Sequence, residues 1–329
     1  MDCGEIYKKA LGFIHRSMDG FDAFAASMKV NPQCINALDY SGTITILHNA
    51  AQYNHLELIK LLLDLGAKVD IPAGDSHETP LHRAMIGEAF EAAEILLNSG
   101  ANPNALNTSL QSPIFYLGGH IDPVKTPQIA SLLLKHGADV HLRDWKGDAP
   151  LHGICIPEMA QLLLQYGAEV DAQNNAGETP LIESASHGVD KMVQFFLKNG
   201  ANINLKNENG RTMLHLFVFD DEYGNTPQVR KMLSLGAEIN ARDNEGFSPL
   251  YQASAAHYLP GVKLLISKGA DVNLRDNEGR TPLYAVENDL YLGINHHYVP
   301  PPQGDGNPLA FAKMKKKIAG LLREAGGTL

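Results

Sequence analysis

His152 and Cys155 stand three residues apart, a spacing that brings two side chains to one helix face. A cysteine beside a histidine is the minimal nucleophile and base. Nothing near the pair supplies an oxyanion site, and Cys155 falls where small residues pack, so catalysis is not read from it. His296 and His297 are the next candidates. Adjacent residues of an extended chain point to opposite sides. No cysteine or carboxylate stands at ligand spacing beside them, so a metal site is not read there either. His48, His82, His152 and His215 stand one or two repeats apart, too far to share an ion. Gly118-Gly119 and Gly304-Asp305-Gly306 lack the strand-to-helix setting of a phosphate loop. No catalytic, cofactor-binding or metal-binding residue is expected.

The elements that carry these residues repeat. Gly-Ala closes a leucine-rich segment at Gly66, Gly100, Gly137, Gly167, Gly200, Gly236 and Gly269, with spacings of 34, 37, 30, 33, 36 and 33 residues. A period near 33 predicts a solenoid, in which each unit buries its apolar face only against its neighbours. One unit reads most clearly at residues 273–284. Gly279 sits at a turn tip that wants positive φ, Thr281 is an N-cap, and Pro282 takes the first helical position. The same grammar recurs at Thr79-Pro80-Leu81-His82, Ser112-Pro113, Ala149-Pro150-Leu151-His152, Thr179-Pro180-Leu181, Thr212-Met213-Leu214-His215 and Ser248-Pro249-Leu250. A degenerate copy begins at Thr45-Ile46-Leu47-His48. Each copy predicts a short helix, a turn and a second helix stopped by glycine in the left-handed region.

These residues resemble the ankyrin repeat family, whose signature is Thr-Pro-Leu-His before a small residue. The resemblance covers roughly residues 36–327 and implies an all-α ankyrin-repeat solenoid of helix-turn-helix units with projecting β-hairpins, about nine units counting both end caps. It further implies that the motif histidines bond backbone and threonine groups between adjacent units. The expected layout is an N-terminal helical cap unit at 1–38, ankyrin repeats at 39–290, an inserted Pro/Gly-rich loop at 291–307 and a C-terminal capping helix at 308–329. Short insertions are expected around 121–126 and 220–225. The cap is read as two helices, Glu5 to Met18 and Phe21 to Lys29.

The resemblance implies non-catalytic protein recognition through a concave groove. Residues at hairpin tips need not pack and are free to vary. The lone tryptophan, Trp145, stands at a tip among Arg143, Lys146 and Asp148, and Trp and Arg are enriched at interface hot spots. Arg211, Phe247 and Arg280 occupy the position after the tip glycine and extend the same expected wall. Tyr53, Ile86 and His187, in the first helices, face it by register. The resemblance also raises hydroxylation at Asn104, Asn204, Asn240 and Asn273, against the simpler reading that these side chains cap the hairpins.

Composition bounds the remaining classes. The chain has 329 residues and a formal net charge of -10, which disfavours nucleic acid as a partner. Three scattered cysteines argue against a disulfide scaffold and for a reducing, cytoplasmic setting. No apolar run is long enough for a membrane span, and residues 1–16 do not read as a secretory signal. Lys313, Lys315, Lys316, Lys317 and Arg323 read as a solvated face of the last helix. The expected partner is therefore a protein, with no cofactor, no nucleic acid and no membrane, and the free chain is expected to be monomeric. Two rival readings stand beside this one. The first is a bacterial effector that copies host ankyrin scaffolds and works in the host cytosol. The second is an enzyme using residues 291–307 as part of an active site.

Overall fold

A computed structural model describes residues 2–15, 20–39, 43–118, 125–218, 226–288 and 308–329. The expected insertions fall mostly or wholly outside these residues, as does the expected loop at 291–307. The chain divides into two compact bodies: Met1–Asn175 with Thr179–Gly200, and Ala176–Glu178 with Ala201–Leu329.

The N-terminal body begins with α1 (Cys3–His15) and α2 (Phe21–Val30). Helix pairs follow: α3 (Ile46–Gln52) with α4 (Leu56–Asp64), and α5 (Pro80–Ile86) with α6 (Phe90–Asn98). In the next two repeats the first helix is a 3-10 turn, Pro113–Gly118 before α7 (Thr126–Lys135) and Pro150–Gly153 before α8 (Pro157–Gln165). The last pair is α9 (Pro180–Ser186) with α10 (Asp190–Lys198). The C-terminal body holds α11 (Met213–Phe217) with α12 (Thr226–Ser234), α13 (Pro249–Ala255) with α14 (Leu259–Ser267), and α15 (Pro282–Glu287) with α16 (Pro308–Glu324).

Local chemistry sets these boundaries. Thr79 is extended, its hydroxyl faces the His82 N–H, and Pro80 opens α5 without losing a hydrogen bond. Helix α4 buries Leu58, Ile59 and Leu62 and stops at Gly66, whose φ is 89°. There the Ala67 N–H reaches the Leu62 carbonyl at 2.9 Å and the Gly66 N–H reaches Leu63 at 2.9 Å, the Schellman pattern. The Gly-Ala pairs at 100, 137, 167, 236 and 269 repeat the longer of these bonds.

Among the described residues the hairpins form no continuous strand, only isolated bridges at Leu38–Thr45 and Ala73–Glu78. The β-hairpins expected from the sequence are tight turns joined to the next turn by one backbone hydrogen bond, too few for a ladder.

First helices stack closely where a glycine ends them. An ideal Cβ on Gly87, the C-cap of α5, would lie 1.9 Å from the carbonyl oxygen of Gln52, the last residue of α3. That obstacle is backbone and cannot rotate away. Gly87→Ala should therefore destabilise the N-terminal body by about 2 kcal/mol, as overpacking does. Urea unfolding of the variant checks this, and an unchanged midpoint would show that the helices have room to part.

The cysteine reading needs correction. Cys3 and Cys34 form a disulfide, because α1 packs against the Pro32–Cys34 turn across 31 residues of sequence. The thiol argument for a reducing compartment goes with it. Cys155 is free and exposed. Ile6, Tyr7 and Ala10 of α1 are buried, and α1 packs on α3. No helix among the described residues is long and apolar enough to cross a membrane.

Candidate functional site

The motif histidines are committed to the fold. His48 Nδ1 accepts from the Thr45 N–H at 3.3 Å and lies 2.8 Å from the Thr45 hydroxyl. That leaves the proton on Nε2, which donates to the Glu78 carbonyl of the next repeat at 3.0 Å. His82 does the same between Thr79 and the Gln111 carbonyl, and His215 between Thr212 and the Phe247 carbonyl. Burial pushes His48 and His215 down to about 4 and lowers His82 as well, so these rings stay neutral. His152 Nδ1 accepts from the Ala149 N–H at 3.0 Å. Exposed Cys155 instead directs its thiol toward the Gly153 carbonyl, at 3.9 Å. Among the described residues, no group of three or more His, Cys, Asp or Glu side chains could hold a metal ion.

The hairpin turns share one design. Asp144 Oδ1 accepts from the Lys146 N–H at 2.9 Å and the Asp148 N–H at 3.0 Å, an Asx-type closure. Asn107, Asn207, Asp243 and Asp276 repeat it. The next residue donates its backbone N–H to the preceding hairpin, as Trp145 does to Ser109 at 3.1 Å and Asn175 to Lys146 at 2.9 Å. When that residue is asparagine, its amide adds a second stitch. Asn175 reaches the Trp145 carbonyl at 3.2 Å, Asn244 the Glu208 carbonyl at 2.9 Å, and Asn277 the Asn244 carbonyl at 2.8 Å. The tip residue it crowds is then glycine: an ideal Cβ on Gly147, Gly210 or Gly246 would lie 2.4, 2.3 or 2.6 Å from that asparagine's Oδ1.

Two junctions depart from this on both sides: His77, at φ 53°, faces Thr108, and Leu110 faces Trp145. Leu110 holds the glycine position at φ 58°, and Trp145 holds the asparagine position. A leucine there costs about 1–2 kcal/mol of backbone strain, and tryptophan cannot make the amide stitch. Both side chains remain in water, Leu110 48% and Trp145 61% exposed. Lys146 Nζ stands 5.5 Å from the Trp145 ring centroid, a cation–π contact. Arg143 donates to the Gly147 and Gln173 carbonyls at 3.3 and 3.4 Å, and Asp148 accepts from Asn174 at 2.8 Å.

The other expected site residues separate into groups. Tyr53 and Ile86, at the ends of α3 and α5, are 51% and 39% exposed. His187, the C-cap of α9, is exposed, and its Nδ1 donates to the Glu183 carbonyl at 2.9 Å. In the C-terminal body Arg211 and Phe247 are not wall residues. After the positive-φ tip the chain turns back, and the following side chain enters the junction with the next repeat. Arg211 is buried with its Nε 3.6 Å from Asp243 Oδ2, and Phe247 is buried and stacked on Tyr251 at 4.6 Å. Arg280 is partly open, held by Asp276 and by Glu278, each at 2.6 Å.

The hairpin asparagines also bridge repeats. Asn104 donates to the Gly137 carbonyl at 2.8 Å and accepts from the Asp139 N–H at 2.8 Å. Asn204 does so with Gly236 and Glu238, and Asn273 with Gly326 and Thr328.

Profiles of ankyrin repeats match residues 22–107, 124–207 and 155–224 in three copies, residues 232–283 with a further multi-copy profile, and residues 209–244 as a single ankyrin repeat. The chain belongs to the ankyrin repeat family. Ankyrin repeat and SOCS box protein 16 of Homo sapiens is 33% identical over 128 residues, 36% of this chain and 27% of that protein. The nuclear factor NF-kappa-B p105 subunit of Gallus gallus is 27% identical over 218 residues, 64% of this chain and 18% of that protein. A putative palmitoyltransferase ZDHHC13 of Danio rerio is 33% identical over 109 residues, 33% of this chain and 16% of that protein. This ankyrin chain thus spans under a third of the length of each.

Sequence reasoning missed Leu110. Its signal was present, since aligning the tips places a histidine at 77 and a leucine at 110 in a column that is otherwise glycine at 147, 177, 210, 246 and 279, and only the leucine is apolar.

Proposed function

We propose that this chain is a non-catalytic binding module that takes a partner protein on the hairpin tips of its N-terminal body, centred on Trp145 and Leu110. The observation that carries this reading is the apolar character of the Leu110–Trp145 junction. At 147/175, 210/244 and 246/277 a glycine and an asparagine fit each other, and His77–Thr108 is a polar substitution, whereas here two large apolar side chains stand exposed on a strained backbone. Strain and exposure that packing does not require point to a role outside the fold. Lys146 and Arg143 give the apolar centre a polar rim, the arrangement of a hot spot. Tyr53, Ile86 and His187 offer further open positions in the same body. The protein acts as a monomer that presents this surface, and no cofactor enters the reading.

The test is affinity capture with the intact chain beside Trp145→Ala and Leu110→Gly, followed by titration of the captured partner. Trp145→Ala should weaken that partner by about 2 kcal/mol or more while leaving helical content unchanged. Leu110→Gly should weaken it as well, yet raise stability by about 1 kcal/mol through relief of the left-handed leucine. Fluorescence of the lone tryptophan should be open to quencher in the free protein and protected in the complex. A partner that binds both variants as tightly as the parent would end this proposal.

A further inference from the structure

In the C-terminal body, α14 packs between α12 and α16, so three second helices lie side by side. Their charge is one-sided. Helices α12 and α14 contain no Asp or Glu, and α16 contains only Glu324. Arg230, Lys263, Lys268, Lys313, Lys316 and Lys317 are all exposed on this set. Arg230 and Lys263 hold the same register relative to Gly236 and Gly269. Arg323 is paired with Glu287 and adds nothing free. Among the described residues, the first carboxylates after α12 and α14 stand past the Gly-Ala turns, at Glu238 and Asp271.

The fold does not require this bias. Of the corresponding helices of the N-terminal body, α7 likewise lacks Asp and Glu, but α4 carries Glu57 and Asp64, α6 Glu91 and Glu94, α8 Glu158 and α10 Asp190. The helix dipole does not account for it either. Lys313, Lys316 and Lys317 lie in the second turn and the middle of α16, and only Arg323 stands in its last turn, where a cation is favoured. An open cavity of about 630 Å³ adds a second observation. Arg230, Lys231 and Lys268 line it, with Pro227, Leu233 and Ile239 as apolar walls and no carboxylate.

We infer that this outer face of α12, α14 and α16 docks on an anionic phospholipid membrane surface, with a phosphate headgroup seated in the cavity. Rows of exposed lysines on adjacent helices suit a planar, negatively charged surface. A protein partner would need a desolvated apolar centre. Among the described residues, the large apolar side chains exposed beside these helices are Leu235, just past α12, and Leu329, past α16. The chain's net charge of -10 does not oppose docking, because charges farther than about 8 Å are screened at physiological salt. This membrane role departs from the expectation from sequence of no membrane partner, which rested on the lack of a long apolar run and on reading α16 as a solvated helix.

Co-sedimentation of the full chain with vesicles tests the inference. Phosphatidylcholine vesicles containing phosphatidylserine should bring the protein down, and pure phosphatidylcholine vesicles should not. The variant Lys263→Glu, Lys316→Glu, Lys317→Glu changes only exposed side chains and should lose at least about thirtyfold in apparent affinity. Lys60→Glu with Lys191→Glu in the N-terminal body, and Trp145→Ala, should bind as the parent does. Raising salt to about 0.5 M should release the bound protein. Equal binding to neutral vesicles, or full binding by the triple variant, would overturn the inference. So would binding of inositol hexakisphosphate, polyglutamate or duplex DNA in place of anionic vesicles.

Discussion

Lowering the pH from about 7.5 to about 4 should remove roughly 3 kcal/mol of stability from each body of this chain. An unfolded histidine takes up a proton near pH 6.5. Folded His48 and His215 resist protonation down to about 4, chiefly because burial disfavours the charged ring. Between those values the unfolded chain binds more protons than the folded one, so stability falls as pH falls. The contribution is complete above about 6.5 and fully lost below about 4. Each pH unit of separation is worth about 1.4 kcal/mol, which sets the size of the loss. His82, also lowered by burial, adds to it in the N-terminal body. Asp276, held below the ordinary carboxylate range by Arg280, extends the loss to still lower pH in the C-terminal body, while Asp243, raised by burial, works against it. Urea unfolding at pH 7.5, 6 and 5 measures the slope. Stability that stays flat across that interval would mean the motif histidines take up protons in the folded chain as readily as in the unfolded one.

Arg211→Ala should cost the C-terminal body about 3–5 kcal/mol, the penalty for stranding a buried charge. Asp243 is fully enclosed, faces Arg211 at 3.6 Å, and accepts from Gln252 Nε2 at 3.0 Å. Without the guanidinium, the carboxyl group must protonate or lose its enclosure. Arg280 occupies the same hairpin position one repeat later, yet its side chain reaches solvent, and Arg280→Ala should cost under about 1 kcal/mol. Thermal melts of the two variants decide the matter. Equal small losses would return Arg211 to the surface role its place in the sequence suggested.

Arg211 and Phe247 also mark where sequence reading reaches its limit. The caps, the Gly-Ala stops and the histidine grammar are local, and each could be read because its hydrogen bonds close within a few residues. The direction of the side chain after a tip glycine is set by the next repeat. Gln111 reaches Asp144 Oδ2 at 3.1 Å in the same way that Arg211 meets Asp243, and no window of one repeat contains both partners. The exposure of Trp145 was legible because the turn alone fixes its position. The meaning of Leu110 required comparing columns across repeats rather than reading along the chain. The Cys3–Cys34 bond was hidden for the same reason as Arg211, since α1 must fold back before the two residues meet. The basic outer face was visible only in part, because α16 alone reads as an ordinary solvated helix until α12 and α14 lie beside it.

Neighbouring hairpins within each body are joined by one backbone hydrogen bond, by amide stitches at Asn175, Asn244 and Asn277, and by scattered side-chain bridges such as those of Asn104 and Asn204, but by no ladder. Such links, spaced one repeat apart, carry tension in series rather than in parallel. Within either body, a pull along the stack would meet no ladder whose bonds must all break together. The repeats would yield one after another at a low and nearly constant force, and would recoil as soon as the load fell. Each body therefore has the mechanical character of a soft spring.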